Sequence, residues 1–468
     1  MTRQKSTLEV IPSARRLIRS LRDVGYDFMH AVADLVDNSI AAGATTIAID
    51  MRFDGKDSWL RIADNGAGMN GTTITEAMRF GTERDYEADE LGRFGLGLKT
   101  ASLSQCSRLT VASRTDRIAK RIEARQWDLA HVERSNRWEI FNVPADERSQ
   151  VLVEPLRDNT GTVVLWELMD RVLGYKLPWG NHAKHGFLRL ADELDQHLAM
   201  VFHRFLSGDA KRRKRLRITL NDTAIEAWDP YVRGEKATLQ LPTMQFEIHG
   251  DSGAGLVAYT PYVLPSQDRF SSLKAFNRSA GPGKWNYQQG FYIYRADRMI
   301  QSGGWCRMRT SDEHTKLARV ALDFWPDLDS AFDLNVAKAR VNLPMSLKEQ
   351  LQPQIEQLAK LARKTYSPPA ESPPPKTSPR NDPPPPFSSA NPLTPSSATQ
   401  AVLLPTDEEK ASIRQGPVAT SAPSVPRNGH IGRALDDAAL AAGEGAALAR
   451  IRKALRTRNP DTATEIGW

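Results

Sequence analysis

Twice between residues 58 and 105 the chain runs through a glycine cluster into a helix-like segment, and this succession limits the possible folds more than any other feature. "WLRIADNGAGMNG" sets Gly66, Gly68 and Gly71 behind a strand-like run. "LGRFGLGLKTASLSQ" sets Gly92, Gly95, Gly97 and Lys99 ahead of a helix-like one. Glycine lets backbone N–H groups approach a ligand closely, and the start of a helix favours an anion. Either cluster alone also fits a pair of tight turns. The first has the spacing of a dinucleotide fingerprint, but an acidic helix and an apparent hairpin precede it, whereas a dinucleotide fold would begin with this strand and continue in βαβ repeats. The second lacks the adjacent Gly-Lys-Thr of a Walker A loop, because Leu98 separates Gly97 from Lys99.

The acidic helix is "AVADLVDNSIAAGATTIAID", residues 31–50, which passes through a small turn into a strand. Asp34, Asp37 and Asn38 are spaced by three and four residues and so share a helical face, beside apolar Val32, Leu35 and Val36. That face is either solvated or holds a polar ligand.

Around these motifs the periodicity predicts helices over 12–22, 28–41 and 73–80, and strands in "TTIAIDMRF", "SWLRIAD", "RLTVASRT", "RIAKRIEARQWDL" and "GTVVLWEL". Helices mixed with strands joined by short turns predict an α+β layer with a mostly antiparallel sheet. A second unit follows, with the helical "GFLRLADELDQHLAMVFHRFL", strand-like "GFYIYRADRMI" and "DLNVAKARVNL", and a closing helix in "SLKEQLQPQIEQLAKLARKTY". Residues 367–428, rich in Pro and Ser, read as a disordered linker. In the final segment Leu448, Ile451 and Leu455 fall on one helical face. The expected division is therefore 1–180, 181–366, 367–428 and 429–468.

Composition excludes several classes. The two cysteines, Cys106 and Cys306, lie far apart without paired zinc spacing and read as reduced thiols. No apolar run approaches the ~20 residues of a membrane span, and the amino terminus lacks a signal-peptide block. A soluble, cytoplasmic protein with no membrane partner is expected. A net charge of +7 and a pI near 9.3 permit a nucleic-acid partner without requiring one.

Taken in order, "ADLVDNS", "DNGAGM", "GRFGLGLKTAS" and "GTVVLWEL" resemble the motif series of the gyrase, heat-shock chaperone, histidine kinase and MutL (GHKL) superfamily of ATPases. "FGLGLKTAS" looks most like the MORC branch, and "AGATTIAID" resembles both MORC and MutL proteins. The resemblance covers roughly residues 25–170. It implies a Bergerat-fold ATP-binding domain, an α/β sandwich, followed by a transducer-like α/β domain, with ATP and Mg²⁺ as cofactors. It assigns Asn38 to Mg²⁺ and Asp64 to the adenine amino group. Gly66 and Gly68 would let the chain pass close to the base, with Met69 packing nearby and Thr162 in the last motif. Gly92, Gly95, Leu96, Gly97, Leu98 and Lys99 would surround the phosphates, and residues 81–97 would form a lid.

Asp34 stands where hydrolytic members carry a glutamate that activates water. Its side chain is shorter by one C–C bond, roughly 1.5 Å, and a misplacement of ~1 Å can cost about 100-fold in rate. Slow hydrolysis is expected.

In the second unit, "FDLNVAKARVNLP" resembles the MutL lysine loop, with Lys338 as the candidate for the γ-phosphate and Lys316 as runner-up. Phe291, Tyr292 and Tyr294 beside Arg295 and Arg298 suit either a half-buried strand or a nucleic-acid contact. Lys211, Arg212, Arg213, Lys214, Arg215 and Arg217 suit either a solvated loop or non-specific DNA binding. The resemblance thus implies an ATP-dependent homodimer that clamps DNA with a partner nuclease or helicase, as in bacterial phage-defence or restriction systems. The alternative is a heat-shock-type chaperone that binds client proteins. A histidine kinase fits less well, because His30 lies within the acidic helix itself.

Overall fold

The computed structural model describes residues 11–366, apart from 24–25, 82–96, 116–120, 145–149, 212, 251–252, 283 and 334–340, together with residues 452 and 456. The chain divides into two units, residues 1–374 and 375–468. In the second unit Arg452 and Arg456 are helical; the rest of the expected linker and terminal helix lies outside the described residues.

Two helices open the first unit. α1 (Ala14–Arg22) is capped by Ser13 and α2 (Phe28–Ala41) by Asp27, each side chain accepting from a backbone N–H of the first turn. A hairpin follows, with β1 (Thr46–Arg52) antiparallel to β2 (Trp59–Asp64), Ile47 opposite Asp64 and Arg52 opposite Trp59. Next come α3 (Gly71–Ala77), α4 (Gly97–Leu103), β3 (Arg108–Arg114), β4 (Glu123–Asp128), α5 (Leu129–Ser135), β5 (Phe141–Asn142), α6 (Gln150–Val153) and β6 (Gly161–Glu167). Strands fall where the alternation placed them because side chains two apart share a face. Ile47, Ile49, Leu60, Ile62, Leu109, Val111, Val164 and Trp166 join the core that includes Val32 and Val36 of α2. Ala63, Ala112, Ala124, Val163 and Leu165 point the other way and are covered by Leu152 and Leu156.

The second half comprises α7 (Asn181–Val201), α8 (His203–Ser207), β7 (Arg217–Leu220), β8 (Thr223–Ala224), β9 (Leu239–Gln240), β10 (Met244–Gly250), β11 (Gly253–Val263), α9 (Leu273–Ser279), α10 (Lys284–Gln288), β12 (Gly290–Arg295), β13 (Arg298–Ser302), β14 (Ala318–Phe324) and α11 (Met345–Tyr366). Its sheet has the order β10-β11-β14-β12-β13, with β9 on β11. Leu347, Leu351, Ile355, Leu358 and Ala362 form the buried stripe of α11. Pro353 is on the exposed face, where water can satisfy the carbonyl that its missing N–H leaves behind.

Among the described residues the first sheet has the order β5-β4-β3-β6-β2-β1-β7-β8. Its pairings are antiparallel except for β1 with β7, which are parallel from Thr46 opposite Arg217 to Ile49 opposite Leu220. Residues 217–224, expected with 181–366, therefore extend the sheet formed by residues 46–167. The α7 helix also begins five residues before the expected Gly186. That glycine lies inside the helix because Tyr175 packs on it: a Cβ there would stand 2.3 Å from the tyrosine Oη.

Candidate active site

The floor of the site is α2, and its polar face is divided among three surroundings. Asn38 is exposed, whereas Asp34 and Asp37 are 4% and 1% exposed. Asp34 Oδ2 accepts from the Tyr26 hydroxyl at 2.8 Å. Burial, and then the charge of Asp34, pushes the Tyr26 phenol above its usual range, so it remains a donor. Asp37 faces inward to Arg298 of β13, whose Nε is 2.9 Å from its Oδ2. The Arg298 Nη2 is 3.7 Å from Asp34 Oδ1.

A second cluster forms where β2 ends. Asp64 Oδ1 accepts from the N–H of Gly66 at 2.8 Å and of Thr162 at 3.2 Å, while Oδ2 accepts from the Ser39 hydroxyl at 2.9 Å. Burial pushes the Asp64 carboxyl upward, and these three hydrogen bonds oppose the shift. Backbones meet closely here. A Cβ on Gly161, at φ +142°, would stand 1.9 Å from the Asp64 carbonyl oxygen, and one on Gly68, at φ +71°, 2.1 Å from that of Arg114. Ser113 joins the two sides: its hydroxyl accepts from the Met69 N–H at 2.8 Å, donates to the Gly161 carbonyl at 2.8 Å and lies 3.0 Å from the Thr162 hydroxyl. Asp64, Gly66, Gly68, Met69 and Thr162 are thus brought together. Ser113 escaped the sequence reading because a serine in an alternating strand carries no distinguishing signal.

The glycine-rich second motif is described only from Gly97. There α4 begins beside α2, and a Cβ on Gly97 would be 3.9 Å from Asp34 Oδ2. Leu98 is partly buried against the core. Gly92, Gly95, Leu96 and the rest of the expected lid from residue 82 to 96 lie outside the described residues. Lys99 differs from its expected place as a point charge at the phosphates. It is buried, and its ammonium donates to the carbonyls of Ala77 and Arg79 at 3.0 and 2.7 Å, closing the end of α3. Carbonyls at a helix end lack internal partners, which is why a buried cation settles there.

Lys338 also lies outside the described residues. Lys316, the runner-up, pairs with Glu313 and stands 5.0 Å from the centre of the Tyr366 ring. Of the two readings of the aromatic and basic stretch, packing describes its apolar positions. Phe291, Tyr292 and Tyr294 are fully buried, Arg295 pairs with Asp329 at 2.7 Å, and Arg298 turns to α2. Lys211, Arg213, Lys214, Arg215 and Arg217 are exposed. A cleft of about 550 Å³ is lined by Tyr26, Phe28, Leu173, Tyr175 and Phe187, and Asp64, Gly66 and Thr162 take no part in its lining. Among the described residues no helix is long and apolar enough to cross a membrane, and no three His, Cys, Asp or Glu side chains gather as a metal site.

This arrangement of α2, the β2 end and the α4 start agrees with the resemblance read from the motifs. Residues 26–162 match the family model described as histidine kinase-, DNA gyrase B-, and HSP90-like ATPase. Protein MICRORCHIDIA 5 of Arabidopsis thaliana is 37% identical over 92 residues, covering 18% of this chain and 13% of that protein. DNA mismatch repair protein MutL of Salmonella arizonae is 30% identical over 195 residues, 41% of this chain and 26% of the relative. MutL of Pectobacterium atrosepticum is 32% identical over 178 residues, 37% of this chain and 23% of the relative. The matched stretches span 13–26% of the length of these curated relatives. Residues 26–162 therefore form a domain of the histidine kinase-, DNA gyrase B- and HSP90-like ATPases, within an α+β chain similar to MORC and MutL proteins.

Proposed function

We propose that this chain is a slow, Mg²⁺-dependent ATP hydrolase that works as a nucleotide-gated dimeric clamp on DNA. The observation that carries the ATP reading is the acceptor count at Asp64. An ionised carboxylate offers about four lone-pair positions. Gly66, Thr162 and Ser39 fill three of them, and an adenine amino group suits the fourth. The close backbone approach at Gly68 and Gly161 fixes the strand end that carries this carboxylate.

Asn38 suits a metal held mainly by phosphates, since Mg²⁺ is typically bound by one or two protein oxygens plus substrate phosphates and water. When bound, Mg²⁺ would neutralise charge on the phosphate oxygens. Asp34, one turn earlier on α2, would accept the proton of the attacking water as general base. Tyr26 orients that carboxylate through Oδ2. The reach of an aspartate supports slow turnover, so nucleotide state would act chiefly as a conformational latch. Residues 81–97 would close over the phosphates as a two-state lid, and residues 181–366 would transmit that closure, with Lys338 at the γ-phosphate.

The DNA reading is supported by the likeness to a protein named for mismatch repair and by the exposed cations Lys211, Arg213, Lys214, Arg215 and Arg217. Contacts of this type neutralise phosphates without reading bases, so binding would be non-specific and salt dependent. A nuclease or helicase partner, in a phage-defence or restriction setting, would supply the chemistry on DNA. Steady-state ATPase assays with and without duplex DNA test the proposal. Expected are loss of turnover with retained binding in Asp34→Asn, loss of Mg·ATP binding in Asn38→Ala, and DNA stimulation that disappears on charge reversal of 211–217. Turnover stimulated by unfolded client protein and indifferent to DNA would replace the clamp with a chaperone.

A further inference from the structure

Arg298 reaches the floor of the site from a strand 261 residues away in sequence from Asp37. It follows a two-residue turn, Ala296 and Asp297, with φ of +48° and +68°. That turn is held from outside. Asp297 accepts from Arg204 at 2.9 Å and from the Lys211 N–H at 2.7 Å. Arg204 also packs 3.5 Å over the Tyr294 ring, and Tyr294 is hydrogen-bonded to His203 and Tyr231 at 2.8 and 2.9 Å. The β12–β13 hairpin therefore presents Arg298 from a braced position.

Arg298 is 1% exposed. Asp34 and Asp37 stand three residues apart on α2, so one planar fork can address both. Its Nε is anchored on Asp37 at 2.9 Å, and its Nη2 stands 3.7 Å from Asp34. A charge-assisted hydrogen bond measures about 2.8 Å, so the Asp34 end has roughly 1 Å of slack. Stability alone is a poor account of such a group, because burying an ion costs about as much as, or more than, the pairing returns. A braced cation fixed at one carboxylate and poised at a second has the geometry of a positioning device.

We infer that Arg298 is a positioning residue for ATP hydrolysis, which holds Asp34 through its anchor on Asp37 and makes turnover depend on how the β12–β13 hairpin seats against α2. The inference rests on the proposed role of Asp34 as general base. A small displacement of the hairpin closes or widens the 3.7 Å separation. Because the reacting distance tolerates little error, such a displacement alters catalysis while leaving the adenine cluster at Asp64 untouched.

The test uses the full chain with Arg298→Met, Arg298→Lys, Asp37→Asn and Asp34→Asn, measuring thermal unfolding, ATP affinity, kcat and KM. Arg298→Met is expected to lower kcat by roughly 10- to 100-fold, with ATP affinity and KM within about threefold of wild type. Arg298→Lys is expected to recover part of kcat, and Asp37→Asn to lose less than Arg298→Met, since it loosens the anchor and keeps the cation. Wild-type kcat in a folded Arg298→Met variant overturns the inference, as does a parallel loss of kcat and ATP affinity. If Arg298→Met does not fold, Asp37→Asn decides, and an unchanged kcat there overturns the inference. An inactive Asp34→Asn beside a fully active Arg298→Met sinks this inference alone. An active Asp34→Asn removes the general base and with it both readings.

Discussion

The hydroxyl of Ser39 donates to Oδ2 of Asp64 at 2.9 Å, which ties the helix that carries Asn38 to the strand end that carries the proposed adenine acceptor. Asp64→Asn replaces an acceptor-only group with an amide, which cannot accept at both ends. One of the Gly66, Thr162, Ser39 or adenine donors then faces another donor. Hydrogen bonds to a charged group contribute about 1.5–3 kcal/mol, so ATP affinity is expected to fall by at least about tenfold in Asp64→Asn and by less in Ser39→Ala. Equilibrium titration with a non-hydrolysed ATP analogue measures both. Equal affinity in Asp64→Asn and wild type would remove Asp64 from the nucleotide site.

Gly161 and Gly43 both have positive φ, but only Gly161 has a wall beside it. A Cβ at Gly161 meets the Asp64 carbonyl oxygen at 1.9 Å, and one at Gly43 meets nothing within 4 Å. Gly161→Ala is expected to destabilise the fold by more than about 3 kcal/mol through forced separation of two backbones, and Gly43→Ala by about 1–2 kcal/mol from conformation alone. Urea denaturation of the two variants gives the comparison. Similar costs at both positions would refute the close approach.

Lys99 makes stability depend on pH at the alkaline side. Burial lowers its ammonium from 10.5 to about 8. Between those values the unfolded chain binds more protons than the folded one, so the contribution of Lys99 to stability rises as pH rises through this window. The wild type should therefore gain stability relative to Lys99→Met from pH 8 to 10.5. Denaturant midpoints collected across that range check the sign; a constant difference between the two proteins counts against it.

Reach is tested by Asp34→Glu. The added carbon moves the carboxylate forward by roughly 1.5 Å. If an aspartate is too short for the water, kcat should rise, by up to about 100-fold, with ATP affinity little changed. Single-turnover kinetics isolates the chemical step. A glutamate variant that turns over no faster shows that Tyr26 and Arg298 already place Asp34 correctly.

Local pattern carried much of the first layer. The helix over 28–41 has the bounds that its periodicity implies, and β2 and β6 lie within one residue of their alternating runs. The four motifs likewise placed Asp64, Gly66, Gly68, Met69 and Thr162 in one neighbourhood, because each lies at the end or turn of a regular element. What failed to show was set by long-range contact. Gly186 reads as a helix boundary until Tyr175 is packed on it. Lys99 reads as a phosphate ligand until the end of α3 lies within its reach. Arg298, just after an aromatic and basic strand, has the same local signature whether it faces solvent or the carboxylates of α2. Only the tertiary fold decides.

The parallel pairing of β1 with β7 bears on how this protein can be divided. A fragment ending at residue 180 would keep every nucleotide motif yet strip the outer strands from β1, leaving its N–H and C=O groups as an open edge. Open edges recruit other strands. The smallest self-sufficient ATP-binding piece is therefore expected to extend past β8 at Ala224. Insertions or fusions that respect the motifs but cut between β6 and β7 should yield aggregates, whereas a cut in the chain after residue 224 leaves the first sheet whole.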